Sequence, residues 1–435
     1  MSNSDSSLVN YSSVNYVRNK FKDYYINHNC NSIVSIEQRE LGIGEYGKKI
    51  SARHLFFKSI PDFNNYLRTT IPFFVSYSVG YFKFPEKRPM EAKEWYGADI
   101  VYEFDADDFD LPCKGEHDIW LCKNQACKKQ GYGHLDKCPD CESPVEVMEW
   151  TCDKCLGKAK EETLRLIEFL RNDFSLNPDN FIISFSGSKG YHVRIVDPKI
   201  TPLSKSSRMI MMHYILGNDI DLGKLGFILD KKQWSIPSPD KAKGWGKKII
   251  DYMLEILNNS DEKGLKAKLD ISSQKAKLIL ENKEVILNKM YHNNILWSNF
   301  QGQDKFWSNF INLAIENIKL KIDPSVAGDI YKIVRVPDTI HGGTGFLATT
   351  IKDIEELKKF DPFSDPVIFK SQVTKTIKLL KPTPKFRLID KTYGPYNIGD
   401  VLELPEHVCI YFILKGVGTF EWWLQNRLWW ITKDI

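Results

Sequence analysis

The sequence predicts a mixed α/β (α+β) protein that carries a metal-binding insertion. In residues 97–108, GADIVYEFDADD, apolar and acidic residues alternate with the period of two that is typical of a strand. Residues 156–174 place Leu166, Ile167 and Leu170 on one face, which predicts a helix. Seven of the nine cysteines lie between Cys113 and Cys155. This clustering indicates metal ligation rather than core thiols.

Length and composition describe an ordinary globular protein. At 435 residues the chain can bury a large core, and a net charge of +4 is too small to identify a nucleic-acid binder by itself. The start MSNSDSSLVNYSSV lacks a signal pattern, and no apolar run reaches the roughly 18 residues of a membrane span. We therefore expect a soluble, intracellular protein. The lysine-rich stretch at 241–321 predicts a solvated helical surface or, alternatively, a template-binding face.

Further along the chain, FIISF, SGSKG and YHVRIV predict two strands joined by a tight turn at residues 181–196. Residues 245–318 are mostly helical in character, and DIYKIVRVP returns to a strand pattern. The Lys/Pro-rich KLLKPTPKF predicts a linker before a compact tail.

Two acids lie at the end of the first predicted strand. Asp105 and Asp107 are two residues apart, so we expect them on one strand face, where two carboxylates can hold a pair of divalent cations. The alternative is a pair of solvated acids where a strand enters a loop.

The SGSKG turn combines glycine amides with Ser186, Ser188 and Lys189, and the next strand places His192 and Arg194 on one polar face. Amide and cationic groups that converge in this way suit phosphate. The alternative is a structural hairpin with a buried histidine.

The segment RVPDTIHGGTG carries Arg335 near a strand end and His341 before a glycine-rich run. Both side chains can meet phosphate oxygens. The alternative is an ordinary strand end with a flexible loop. Upstream, either Asp323 or Asp329 could add a third carboxylate.

FDAD, SGSKGYH and RVPDTIHGGTG occur in the order and approximate spacing seen in the small, catalytic subunit of archaeal and eukaryotic DNA primases, which this chain resembles over residues 16–363. The resemblance implies a catalytic domain at 12–370 with a primase α/β core, an inserted zinc module at 113–155 and a helical insertion at 240–320. A linker at 371–384 and a small β-rich C-terminal domain at 385–435 would follow. The implied activity is template-directed synthesis of short RNA, or also DNA, primers on single-stranded DNA with two Mg²⁺ or Mn²⁺ ions.

The resemblance also assigns site residues, motif by motif. The implied metal ligands are Asp105, Asp107 and, in preference to Asp329, Asp323. The implied nucleotide-binding residues are Ser186, Gly187, Lys189, His192, Arg335 and His341, with Glu40 and Arg53 in the short motifs RELG and ARH.

The cysteine cluster contains two Cys-x2-Cys pairs, Cys138/Cys141 and Cys152/Cys155, which predict structural zinc; a redox role is the alternative. The resemblance maps Cys113, His117, Cys152 and Cys155 onto the zinc site of the family. It leaves Cys122, Cys127, Cys138 and Cys141 as a second quartet nested inside the first. A solvated His117 is the alternative for that residue. Cys30 and Cys409 are expected to be packing residues.

The tail YGPYNIGDVLELPEHVCIYFILKG resembles the small β-domain of the replication complex GINS and the C-terminal tails of some archaeal primase small subunits. The tryptophan-rich TFEWWLQNRLWW that follows either packs in a core or docks a replication partner.

The family implies four classes of partner: single-stranded DNA, ribonucleoside or deoxyribonucleoside triphosphates, a large subunit in a heterodimer, and other replisome proteins through the tail. No membrane is expected, and the location would be the cytoplasm at replication forks, or the nucleus in a eukaryote. The rival functions are a primase-polymerase or end-joining polymerase of the same fold, and a non-catalytic zinc-ribbon protein that binds nucleic acid.

Overall fold

A computed structural model describes residues 3–322 and 328–421. The helices in this part of the chain are α1 (Asn3–Asn27), α2 (Ile60–Thr70), α3 (Lys114–His117), α4 (Asp153–Asn172), α5 (Lys205–Ile215), α6 (Gly244–Asn259), α7 (Glu262–Leu269), α8 (Ser273–Glu281), α9 (Lys283–Asn288), α10 (Gln303–Ile318), α11 (Ile354–Lys359) and α12 (Glu406–Leu414). The strands are β1 (Leu41–Glu45), β2 (Lys48–Leu55), β3 (Phe74–Ser78), β4 (Gly80–Phe82), β5 (Trp95–Ala98), β6 (Ile100–Asp105), β7 (Ile119–Cys122), β8 (Gln130–Tyr132), β9 (Val145–Met148), β10 (Phe181–Phe185), β11 (Gly190–Ile195), β12 (Ile228–Asp230), β13 (Gln233–Ser235), β14 (Ile333–Arg335), β15 (Thr349–Ile351), β16 (Thr374–Leu379), β17 (Phe386–Leu388), β18 (Lys391–Tyr393), β19 (Val401–Pro405) and β20 (Gly418–Phe420).

The chain divides into two compact units. The first comprises Met1–Leu164, Asp179–Arg208 and Ser325–Ile435, and the second comprises Arg165–Pro178 and Met209–Pro324. The mixed α/β class is confirmed. No helix in the described part of the chain has the length and apolar character that a membrane crossing requires.

Two four-stranded antiparallel sheets frame the first unit, in the orders β14-β3-β1-β2 and β15-β10-β11-β6. In the second sheet β10 and β11 form the predicted hairpin, with Phe185 opposite Tyr191. β6 then pairs with β11, so that Asp105 lies opposite Gly190. This register brings the acidic strand end beside the SGSKG turn, although about 80 residues separate the two segments in sequence.

A buried acid, Asp99, ties the two sheets together. Its Oδ2 accepts hydrogen bonds from Arg39 NH2 (2.7 Å) and Arg194 Nε (2.6 Å), and the hydroxyl of Tyr81 donates to its Oδ1 (2.8 Å). Arg194 also lies over the ring of Tyr77 in β3. The polar face that we predicted for His192 and Arg194 therefore does not present Arg194 to a phosphate, because its guanidinium is buried against Asp99. A buried guanidinium needs a carboxylate partner, and Asp99 supplies it.

The C-terminal segment differs from the expectation in two ways. The segment that we expected to be a linker contains β16, which pairs with β19 and β20. The tail is β-rich as expected, with β17 to β20, but it also contains α12, whose side chains from Val408 to Leu414 are all buried. An apolar run without alternation fits a buried helix as well as a buried strand, so periodicity could not separate the two.

This segment also packs within the first unit rather than forming a unit of its own. The ring of Tyr411 stacks on Phe346 at 5.4 Å between centroids, and the Tyr46 hydroxyl donates to the carbonyl of Ile413. Of the tryptophan-rich stretch TFEWWLQNRLWW, residues 422–430 lie outside the described residues, so its two interpretations stay predictions.

The second unit contains helices α6 to α10 and the β12–β13 hairpin. Trp307, Phe310 and Ile311 of α10 are buried, whereas Lys263, Lys266 and Lys268 on α7 are exposed. The solvated helical surface predicted for the lysine-rich stretch is therefore confirmed for α7, and template binding there stays a prediction.

Candidate active site and zinc-binding clusters

A cleft of about 640 Å³ opens in the first unit. Its walls come from β6, the β10–β11 turn, β14 with the loop that follows it, β9 with the two residues after it, and the C-terminal segment. The charged or hydrogen-bonding side chains that line it are Lys49, Ser76, Glu103, Asp105, Glu146, Glu149, Ser186, Ser188, Lys189, His192, Lys332, Arg335, His341, Thr344, Lys381 and Lys415.

Asp105 lies at the acidic edge of this cleft. A Cβ added to Gly190 would lie 2.0 Å from the carbonyl oxygen of Phe104 and 2.5 Å from Asp105 Oδ1, so only glycine fits opposite this acid. Burial raises the pKa of the Asp105 carboxyl, and nearby acids add to the effect. A carboxylate in such a setting is stabilised by a cation.

Asp107 does not share a strand face with Asp105, and that prediction is wrong because β6 ends at Asp105. A 3-10 turn, Ala106–Asp108, follows, and it directs Asp107 toward the ammonium of Lys189. Lys189 Nζ donates to Asp107 Oδ2 and also to Glu149 Oε2 (2.6 Å). The phosphate-binding lysine that the motif implies is therefore held between two carboxylates.

The SGSKG turn is shaped by its first serine. Ser186 Oγ accepts from the backbone N–H of Gly190 (3.2 Å) and of Ser188 (3.4 Å). The hydroxyl holds the turn closed and still lies on the cleft wall.

Gly187 joins this turn to the glycine-rich loop after β14. The Thr344 hydroxyl donates to the carbonyl of Gly187 at 2.6 Å. Gly187 has a φ of +80°, and an added Cβ would lie 2.8 Å from the Cβ of His341. Both the backbone conformation and the close approach require glycine at this position.

Replacing Gly187 by alanine should therefore destabilise the protein by about 2 kcal/mol or more, because the left-handed backbone conformation and the steric clash each cost free energy. The matched control is Gly47→Ala, since Gly47 has a φ of +72° with open space around its Cβ position. The control should show only the backbone cost, about 1 kcal/mol. Urea unfolding measures both. Equal losses of stability in the two variants would contradict the packing of Gly187 on His341.

Arg335 ends β14 inside the cleft. Its guanidinium lies 5.0 Å from the ring centroid of Phe74 and meets the carbonyl oxygen of Val75 at 3.5 Å. Among the described residues, no carboxylate lies within 4.0 Å of it. Burial lowers the pKa of Arg335 to about 10. A guanidinium in this position is suited to an anion.

His341 presents a neutral imidazole to the same region. The N–H of Gly343 donates to Nδ1 (3.2 Å), so the proton of the neutral ring is on Nε2, which can donate to a ligand. Burial lowers the pKa of His341 well below its ordinary value. Neighbouring cations depress this pKa further, and these are Arg335, Lys49, Lys415 and Lys189.

We call these four side chains, Arg335, Lys49, Lys415 and Lys189, the cation cluster. Positive charges gathered around a neutral donor favour a polyanion such as a triphosphate. The sequence motifs identified Lys189 and Arg335 only. Lys49 lies in β2 and Lys415 directly follows α12, and the sequence motifs assigned neither residue to the nucleotide site.

His192 lies opposite Glu103 in the β11–β6 ladder, and its Nε2 is 3.8 Å from Glu103 Oε1. Lys332 Nζ donates to Glu103 Oε2 at 2.6 Å. His192 is thus on the cleft wall as predicted, next to an acid and a lysine that the motifs did not mark.

Glu40 has a different position from the one that the resemblance implied. Its side chain is fully buried, and its Oε1 accepts from Arg53 Nε at 2.7 Å and from the backbone N–H of His54. A nucleotide cannot reach this carboxylate. Arg53 is partly exposed, but neither residue lines the cleft.

The outer quartet, Cys113, His117, Cys152 and Cys155, gathers its ligand atoms within 4.8 Å of one another. Cys155 Sγ lies 3.4 Å from Cys113 Sγ and 3.2 Å from His117 Nε2. Two thiolates on a tetrahedral zinc are separated by about 3.8 Å, so the quartet can hold this ion. His117 is buried, and the solvated alternative for it is wrong.

The inner quartet, Cys122, Cys127, Cys138 and Cys141, forms a second cluster of the same kind. Its sulfurs approach to 3.5 Å (Cys122 and Cys141) and 3.7 Å (Cys127 and Cys138). The grouping into two nested quartets is as predicted, and all nine cysteines are free thiols. Cys30 and Cys409 are buried, as expected for packing residues.

An acid connects the outer quartet to the cleft wall. Asp118 Oδ1 pairs with His117 Nδ1 at 2.9 Å, which fixes the ring with Nε2 toward the quartet. The same oxygen accepts the backbone N–H of Trp150 at 2.8 Å. Trp150 follows Glu149, whose carboxylate contacts Lys189. The cysteine-rich module is thereby part of the cleft wall.

Comparison with known proteins identifies the family. The sequence model for the DNA primase small subunit matches residues 135–353, just over half of the chain. This chain belongs to the DNA primase small subunit family. The predicted resemblance is thus confirmed, and the rival functions are not favoured.

Archaeal relatives match almost from end to end. The DNA primase small subunit PriS of Nitrosopumilus maritimus is 27% identical over 94% of this chain and 100% of its own length. The PriS proteins of Methanothrix thermoacetophila and Methanococcoides burtonii are each 26% identical, over 92% and 93% of this chain and 97% and 98% of their own lengths. The relatives thus extend the similarity beyond residues 135–353, to more than nine-tenths of this chain.

Proposed function

We propose that this chain is the catalytic subunit of a DNA primase, and that it synthesises short RNA primers on a single-stranded DNA template. One observation carries the proposal: the carboxylate of Asp105 shares a single cleft with the cation cluster and the neutral His341. Nucleotidyl transfer needs this combination, because metal-binding acids and triphosphate-binding cations must act on the same substrate.

Asp105 and Asp107, together with Asp323, are the proposed ligands of two Mg²⁺ or Mn²⁺ ions. Asp323 lies outside the described residues. Asp105 fits this role because its carboxylate is partly buried near other acids, and this setting raises its pKa. When bound, the two ions would activate the attacking 3′-hydroxyl and neutralise charge that develops on the phosphates.

The cationic side of the cleft would bind and orient the triphosphate. Arg335 and Lys189 would contact phosphate oxygens, and His341 would donate from Nε2. The primer 3′-oxygen then forms a bond to the α-phosphorus while the bond to the bridging oxygen breaks, and pyrophosphate leaves. Because Lys189 is paired with Asp107 and Glu149, it also links the acidic and cationic sides of the cleft.

The remaining predicted residues would act by positioning. The Ser186 hydroxyl shapes the turn, and Gly187 allows the turn to pack on the histidine loop. His192 would be oriented by Glu103. Buried Glu40 would hold Arg53, so a contact to the nucleotide in this region would come from Arg53 alone.

Each cysteine quartet is a proposed structural zinc site. Both sets consist of four side chains that gather around one point, which leaves no open position for a substrate.

The relatives are named small subunits, which implies a larger partner for them, and we propose a heterodimer for this chain also. Joining the first two nucleotides is the step with the largest entropic cost, because no primer anchors either substrate. We therefore expect the isolated chain to extend a supplied primer but to initiate poorly, and the large subunit to restore initiation.

A labelled assay on single-stranded DNA tests this proposal. Extension of an annealed primer and de novo synthesis are measured with ribonucleotides and with deoxyribonucleotides, with Mg²⁺ or Mn²⁺, and with or without the co-purified partner. Extension by the isolated chain and a gain in initiation with the partner are the expected results. No extension under any condition would refute the proposed activity, and efficient initiation by the isolated chain would refute the need for a partner.

A further inference from the structure

Lys415 brings a charge from the C-terminal segment into the cleft. It follows the last residue of α12, and its backbone N–H donates to the carbonyl of Tyr411. Its Nζ donates to the backbone carbonyl of Glu149 at 3.1 Å and lies 4.6 Å from the ring centroid of Trp150. The Lys415 ammonium therefore lies beside the end of β9, next to Glu149, whose carboxylate pairs with Lys189.

Among the described residues, no carboxylate lies within 4.0 Å of Lys415 Nζ. Burial, together with the nearby charge of Lys189, lowers the pKa of Lys415 to about 8. Lys381 also lies on the cleft wall, but its Nζ pairs with Glu146 Oε1 at 2.7 Å. Of these two lysines, only Lys381 pairs with a carboxylate among the described residues.

The helix that carries Lys415 also packs against the loop that carries His341. Phe346 of that loop stacks on Tyr411 of α12, and a Cβ on Gly345 would lie 3.1 Å from Ile410. Lys415 and His341 are therefore positioned by one packed interface, and the charge of Lys415 is among those that depress the pKa of His341.

We propose that Lys415 binds the triphosphate of the incoming nucleotide, so that the C-terminal segment completes the nucleotide site rather than serving only as a separate docking module. This inference rests on the proposed function. The contact is assigned by chemistry: the Lys415 ammonium has no carboxylate within 4.0 Å among residues 3–322 and 328–421, and it lies in the same cleft as Lys189 and Arg335, so it is complementary to a phosphate chain.

The binding test uses the full chain and the variants Lys415→Met and Lys415→Arg. Calorimetry measures the Kd of Mg-ATP, inorganic tripolyphosphate and AMP, so the readout does not depend on turnover. We expect Lys415→Met to weaken tripolyphosphate and Mg-ATP by about tenfold or more, with little change for AMP, and Lys415→Arg to retain most of the affinity. The KM for nucleotides in primer extension should rise in parallel.

The control is Lys391→Met, which removes the same charge from an exposed position in the C-terminal β17–β18 hairpin, away from the cleft. It should leave all three affinities unchanged. Unaltered tripolyphosphate affinity in Lys415→Met, or an equal loss of affinity for AMP, would overturn the proposal. The second result would indicate that the lysine only clamps α12 to Glu149.

A footprint on the unmodified chain keeps the proposal testable if Lys415→Met does not fold. Reductive methylation followed by mass spectrometry should label Lys415, and tripolyphosphate should protect it severalfold, while Lys391 is labelled equally with and without the anion. Equal labelling of Lys415 in both conditions would overturn the proposal. An unmodified chain that fails to extend primers but shows this protection would refute the proposed function alone.

Discussion

Replacing Asp105 by asparagine should abolish primer extension while the protein stays folded. The amide keeps the shape of the side chain but removes the charge that divalent cations require. Metal stabilisation of the transition state contributes several kcal/mol, so the rate should fall by about three orders of magnitude or more. Asp107→Asn should also be inactive, and it additionally removes a partner of Lys189.

The stability of Asp105→Asn separates a functional from a structural role. Asp105 lies beside Glu103, Asp107 and Asp108, and burial disfavours its charge. Removing one of these like charges should leave the unfolding midpoint unchanged or raise it. The matched control is Asp110→Asn, an exposed acid a few residues further along, which should remain active. Near-normal extension by Asp105→Asn with either Mg²⁺ or Mn²⁺ would contradict the assignment, and so would a large loss of stability.

The two cysteine quartets should differ in their importance for catalysis. Each should hold one zinc ion, so elemental analysis of the purified chain should give two per molecule. Cys155→Ala should lose the outer ion and most of the primer extension. The reason is the chain of contacts from His117 through Asp118 to the backbone of Trp150, next to Glu149 and its contact with Lys189.

Cys138→Ala is the matched variant in the inner quartet, because Cys138 is as deeply buried as Cys155. It should also lose one zinc, yet it should keep most of the extension of a supplied primer, since the inner quartet has none of the contacts that join Asp118 to Trp150. Structural zinc contributes about 10 kcal/mol or more to small metal modules, so each module should lose its local fold without its ion. One zinc in the unmodified chain would refute the two-site assignment. Equal loss of extension in both variants would refute the special role of the outer quartet.

Local chemistry determined most of what the sequence predicted correctly. The hairpin at residues 181–195 follows from two apolar strands around a glycine turn, and the grouping of the two quartets follows from cysteine spacing together with the family resemblance. The family itself was recognisable because three short motifs carry ordered, chemically specific residues. In each case the decisive residues are neighbours in sequence, so their arrangement depends little on the rest of the chain.

Predictions failed where a strand ended earlier than its residue pattern indicates, and where a polar residue is buried in the core. Periodicity did not reveal that β6 ends at Asp105, because the residue type at Asp107 is compatible with both a strand and a turn. Arg194 alternates correctly with its neighbours, but the buried acid Asp99, almost a hundred residues away, turns it into a core residue. The apolar run that forms α12 carries no period that could separate a buried helix from a strand.

The sequence by itself determined the family and the two quartets of candidate metal ligands, and it also supplied the acids and motifs that we propose for metal and phosphate binding, because residue types at short spacing mark each motif. Only the tertiary structure decided which charges share the cleft. Lys49, Glu149 and Lys415 come from three distant segments, and a side chain belongs to a site through its contacts and burial rather than through its neighbours in sequence. The same reason explains why Glu40, which lies in a short recognisable motif, is buried beneath Arg53 and cannot contact a nucleotide directly.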